Sequence, residues 1–110
     1  MIKEQITKKP KTLAIIGGTQ EETLKKLGKE GGFRIMYDNA YRPKRRKYQK
    51  IISSADCVVV MVGACSHRAM WMAKEISNRT DTPIRFMKGR GATGAIMKGM
   101  EEIEKEREVV

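Results

Sequence analysis

Four short apolar runs, spaced by polar stretches of helical length, set the rhythm of this chain. Residues 12–16 (TLAII) are nearly continuously apolar, as a strand buried on both faces is. Gly17-Gly18 breaks the run. Thr19, with Glu22 three positions later, has the form of a capping box. It predicts a helix from about Gln20 to Lys29 that buries Leu24 and Leu27 and stops at Gly31-Gly32. Residues 33–37 (FRIMY) read as a second strand and residues 38–42 as a loop. Pro43 suits the first turn of a second helix, which runs to about Ser53 and buries Tyr48, Ile51 and Ile52. Residues 56–62 (DCVVVMV) are the strongest strand pattern. Ser66 is placed to cap a third helix, with Ala69, Met70, Ala73 and Ile76 at helical spacing. Residues 81–83 (DTP) form a turn, residues 84–87 (IRFM) a fourth strand and residues 88–94 (KGRGATG) a loop, with Thr93 able to cap a final helix. That last helix carries Ile96, Met100 and Ile103 on one stripe.

Strands that alternate with helices pair in parallel. The expected fold is therefore α/β: a small three-layer Rossmann-like domain with a parallel four-stranded sheet in the order 2-1-3-4. The valine-rich run belongs at its middle. At 110 residues the chain is read as one domain over 11–110, preceded by a flexible basic arm at 1–10. No apolar run is long enough to span a bilayer, and the charged N-terminus has no apolar signal region. Cys57 lies in a strand pattern and Cys65 is the only other cysteine. A disulfide framework is not indicated, and a reducing cytoplasmic location is expected.

Charge changes the picture more than composition does. The net charge is +10, and residues 101–110 hold five glutamates against Lys105 and Arg107, so the positive excess lies in the first hundred residues. Such an excess attracts anionic ligands. In an open parallel sheet, ligands bind at the carboxyl ends of the strands. The loops expected there contribute Gly17, Gly18 and Thr19; Asp38 and Arg42; Gly63, Cys65, Ser66 and His67; and Lys88, Arg90, Gly91 and Thr93. The first loop is not Gly-x-Gly-x-x-Gly, and Glu21 and Glu22 oppose a phosphate at that helix start. The third offers backbone N–H groups, a hydroxyl and an imidazole, which suit an anion; thiolate and imidazole would also suit iron. The fourth has glycines and two cations but lacks the Gly-Lys-Ser/Thr ending of a P-loop. Residues 42–50 hold six cations, which raises nucleic acid as a partner, yet aromatic platforms are few. Trp71 falls off the Met70/Ala73 stripe, which hints at a partner surface.

The Ala55-Asp56 start of the valine strand, the segment Gly63-Ala-Cys-Ser-His67, Ala73-Lys74, Thr82-Pro83-Ile and Gly89-Arg-Gly-Ala-Thr-Gly together resemble a bacterial family of small domains of unknown function, the Domain-Related-to-Iron family. The resemblance covers about residues 11 to 97, and Ser66-His67 in its context is the specific part. It implies a Rossmann-like fold and a homodimer. For some members it implies haem bound through cysteine and histidine, which would make Cys65 and His67 the ligands here.

The function expected from the sequence is a non-enzymatic module that binds a phosphorylated, nucleotide-like anion at the strand ends, as a dimer. The alternative is a haem- or iron-binding regulator using Cys65 and His67 as metal ligands. An enzyme is the weaker expectation, because Asp38 is the only strand-end carboxylate available to partner His67.

Overall fold

The computed structural model describes residues 11–88 and 91–109. The expected arm at 1–10 and the candidate Arg90 lie outside them. Strands and helices alternate: β1 (Lys11–Ile16), α1 (Glu21–Glu30), β2 (Phe33–Asp38), α2 (Arg45–Ser54), β3 (Cys57–Met61), α3 (His67–Thr80), β4 (Ile84–Met87) and α4 (Ala92–Val109). The sheet is wholly parallel and ordered β2-β1-β3-β4. The α/β class and the strand order are those read from the alternation of apolar runs.

Helices cover both faces, so the central strands need apolar side chains on both sides. β3 is buried at every position. On one face Ala14, Ile16, Val58 and Val60 pack against Tyr48, Ile51 and Ile52 of α2 and Ala69, Met72, Ala73 and Ile76 of α3. On the other, Leu13, Ile15, Val59 and Met61 pack against Leu24 of α1 and Ala92, Ala95, Ile96 and Ile103 of α4. Two close approaches require glycine. A Cβ on Gly28 would lie 2.3 Å from Ile35 Cγ1, and one on Gly99 would lie 2.3 Å from Leu13 Cδ1.

The element ends differ from expectation in physical detail. The Thr19 capping box does not form: Gln20 occupies the N-cap without a side-chain bond, and Thr19 is exposed. Gly17 and Gly18 at φ of 109° and 91° use an extra residue to turn the chain. Pro43 lies ahead of α2 instead of in its first turn, with Lys44 at the N-cap. Residues 62–64 leave the strand as a 3-10 turn. Thr93 does not cap α4; that helix already begins at Ala92, placing Thr93 and Gly94 inside its first turn. Met70 is only half-buried, and Met72 takes the core position. The Ser66 cap does form, its Oγ accepting from Ala69 N at 3.1 Å.

Candidate functional site

The carboxyl ends of the strands gather the loops that the sequence singled out, but unequally. Gly17 is buried. Its N–H donates to Asp38 O at 2.8 Å, and a Cβ there would lie 2.9 Å from Ala64 O. Gly17 thus closes the first loop against the 62–64 turn. Gly18 O accepts from the Tyr37 hydroxyl. Glu21 and Glu22 both stand in the first turn of α1, Glu21 paired with Lys25 at 2.9 Å. This helix end is built against anions.

Asp38, at the end of β2, is 6% exposed. Its carboxylate accepts from Ala40 N and the Tyr48 hydroxyl, both at 2.9 Å, and faces Lys47 Nζ at 2.8 Å. Burial pushes its pKa up. Hydrogen bonds from Lys47, Ala40 and Tyr48, with the Lys47 charge, outweigh burial and hold it below the ordinary 3.8. Ala40 adopts φ 64° to bring its N–H round to that carboxylate. The Asp38–Tyr48 bond links β2 to α2 and fixes the loop that delivers Arg42 and Lys44. The apolar spacing of α2 predicts a buried Tyr48 but carries no signal for its hydroxyl's partner.

Cys65 and His67 face different surroundings. Cys65 is half-buried and packs against the core under α2 and α3. Burial, then the nearby Asp38 charge, push its thiol up to about 11. It therefore holds its proton at neutral pH. His67 is exposed, as the first residue of α3. Ser66 is occupied by its cap bond. Among the described residues no group of three or more His, Cys, Asp or Glu side chains is arranged to hold a metal ion. With the Cys65 thiol packed against the core and the His67 imidazole exposed, the two candidate ligands lie in different surroundings.

The residues that share a cleft are others. Where α2 begins beside the first two turns of α3, a cleft of about 410 Å³ is lined by Lys44, Arg45, Arg68, Trp71, Met72 and Glu75, with Pro43 at its edge. Glu75 is engaged by Arg45 at 3.0 Å and Arg79 at 3.4 Å. Lys44 and Arg68 have no ion-pair partner among the described residues. Trp71 is 71% exposed, so one wall is a largely solvent-facing indole, with Lys74 Nζ over the ring at 6.0 Å. Neither Gly17–Thr19 nor Gly91–Thr93 lines this cleft. Arg42, Gly63, Lys88, Gly91 and Thr93 are exposed around the same strand ends. The sequence contained two signals for the cleft, the run of cations over 42–50 and the position of Trp71 off the apolar stripe. Nothing local showed that Lys44 and Arg68 would meet beside it.

Residues 12–103 match a bacterial family described as "Uncharacterized protein conserved in bacteria (DUF2325)". The chain belongs to this DUF2325 family. Its curated relatives include a UPF0751 protein of Bacillus cereus (strain AH820), 30% identical over 95 residues that make up 84% of this chain and 96% of that protein. A UPF0751 protein of Desulfitobacterium hafniense (strain DSM 10664 / DCB-2) is 34% identical over 89 residues, 76% of this chain and 87% of its own length. No solved structure matches the chain. The DUF2325 match runs from the second residue of β1 through β4, α1 to α3 and most of α4, and so includes both the cleft and the Ser66-His67 segment. Among the described residues no helix is long and apolar enough to cross a membrane.

Proposed function

We propose that this DUF2325 protein is a non-enzymatic binding module for a small phosphorylated ligand, a nucleotide in the first instance, held in the cleft between the start of α2 and α3. One observation carries the reading: Lys44 and Arg68, without carboxylate partners among the described residues, share a 410 Å³ cleft with an exposed indole. Fixed cations favour phosphate, and a flat aromatic face favours a base. His67 and Lys88, exposed and outside the cleft lining, keep their proposed role as further sources of charge or hydrogen bonds at the strand ends. Arg90, outside the described residues, keeps the same proposed role. A homodimer compatible with this reading leaves the α2–α3 face open.

Calorimetric titration with nucleoside mono-, di- and cyclic dinucleotide phosphates tests it. Binding should be weakened about tenfold by Arg68→Gln, the size of one charge-assisted contact, and also by Trp71→Ala. Absence of heat with every nucleotide sinks the reading. Iron or haem at Cys65 and His67 rests on the family resemblance alone. A Soret band that shifts in Cys65→Ser would favour it.

A further inference from the structure

The cationic cleft does not end at Trp71. The same ring also walls a wider groove of about 870 Å³ that follows α3 to the edge strand β4, where Lys74, Asn78, Pro83 and Phe86 line it. Lys74 Nζ lies 6.0 Å from the Trp71 ring centre and 5.9 Å from that of Phe86. Phe86 is partly exposed at 38%, and β4 has no neighbour on its outer side among the described residues. Trp71 and Glu75 line both grooves, so the two adjoin there, and the Glu75 charge at that junction is met by Arg45 at 3.0 Å and Arg79 at 3.4 Å. Lys44 and Arg68 stand at one end, Trp71 at the junction, and Lys74 and Phe86 beyond it. Lys74, like Lys44 and Arg68, has no carboxylate partner among the described residues.

The first groove alone has the volume of a small-ligand site. A ligand that uses both must be extended and must present negative charges and flat rings in turn. We infer that the track from Lys44 and Arg68 past Trp71 to Phe86 binds single-stranded nucleic acid, with phosphates on the three cations and bases on the two rings. The inference rests on the reading of the first cleft as a phosphate and base site, and extends it to a chain. Base–aromatic stacking tolerates any sequence, and unpaired cations follow the backbone. A duplex hides its base faces and would meet the cations only. The protein's net charge of +10 favours the encounter. Asp81, at the far end of the second groove, disfavours phosphate there and sets the limit of the track.

Trp71 is the only tryptophan, so its fluorescence reports on the junction alone. The experiment titrates full-length protein with labelled oligothymidylate and oligouridylate of about 12 nucleotides, within the usual span of such sites, and with a duplex of equal length. Anisotropy and Trp71 emission are read together. The expected result is tighter binding of single strands than of duplex, with Trp71 quenched. Trp71→Ala should weaken binding at least about fivefold, the loss of one stacked base, and Trp71→Phe should restore most of it. Lys44→Gln with Arg68→Gln should lower the slope of log affinity against log salt by about 1.4. The two oligonucleotides tell whether deoxyribose or ribose is preferred. If a mononucleotide quenches Trp71 but oligomers bind no tighter, the chain inference fails while the small-ligand reading stands. If oligomers bind but neither Trp71 nor the two cations matter, the chain inference fails; if mononucleotide binding is equally indifferent to them, the small-ligand reading fails with it. A dimer by light scattering whose Trp71 emission is blue-shifted and unresponsive to oligomer would give the surface to a second copy and overturn the inference.

Discussion

At the scale of the residue, Asp38 and Cys65 show how one buried carboxylate governs its neighbours. Asp38 titrates below its ordinary 3.8 because its partners outweigh burial. A folded-state pKa that is depressed contributes stability above the unfolded pKa and loses it as pH falls through the folded value. Denaturant midpoints should therefore drop below about pH 4, and Asp38→Asn should flatten that drop. Asp38→Ala leaves the buried Tyr48 hydroxyl and the Ala40 N–H without their acceptor. It should cost on the order of 2–3 kcal/mol in urea unfolding at neutral pH. Cys65 moves the opposite way. Its thiol, pushed up to about 11 from an ordinary 9.0, favours the protonated form in the fold. Its contribution to stability is complete below pH 9 and is lost as pH rises towards 11. Iodoacetamide labelling should climb without a plateau up to about pH 10, because the thiolate is the nucleophile. The fully buried Cys57 should stay unlabelled, so Cys65→Ser should abolish labelling of the native protein.

At the scale of the element, helix propensity and packing pull against each other at Gly99. In an exposed helix, Gly→Ala gains about 1 kcal/mol. Here the added methyl meets Leu13, which is fully buried and has no room to retreat. Gly99→Ala should be destabilising by about 1–3 kcal/mol, since overpacking outweighs propensity; thermal unfolding checks it, and a rise in Tm would contradict the packing argument. The same contest explains which element ends are legible in the sequence. Ser66 is legible as a cap because its role depends on residues one turn away. Thr19 is not, because two left-handed glycines before it consume the turn and move the N-cap to Gln20. Thr93 is not, because the loop ahead of α4 is shorter than its glycines suggest.

At the scale of the molecule, the asymmetry of charge becomes an asymmetry of faces. The first turn of α1 carries Glu21 and Glu22, whereas Lys44 and Arg45 at the start of α2 stand beside Arg68 of α3. Nucleotide affinity should therefore fall as ionic strength rises, because the Lys44 and Arg68 charges are exposed and screened by salt. Titration at about 50 and 200 mM salt checks this, and Arg68→Gln should reduce the dependence without shifting Tm. An unchanged affinity across salt would locate the site away from these cations.

Local chemistry explains what the sequence determined by itself. Apolar runs of strand length, polar segments of helical period and glycine breaks depend on neighbours within a few positions, and they were enough for an α/β sheet in the order 2-1-3-4. The short spacings also placed the candidate loops at one edge of that sheet. Only the tertiary structure decided which loop residues meet. Lys44 and Trp71 come from different parts of the chain and share a wall of one cleft because α2 and α3 pack side by side over β1 and β3. Cys65 and His67, two positions apart, are separated because the chain turns into α3 between them, leaving one against the core and the other in solvent. Contacts between distant segments depend on how whole layers settle on each other, and no local pattern records that.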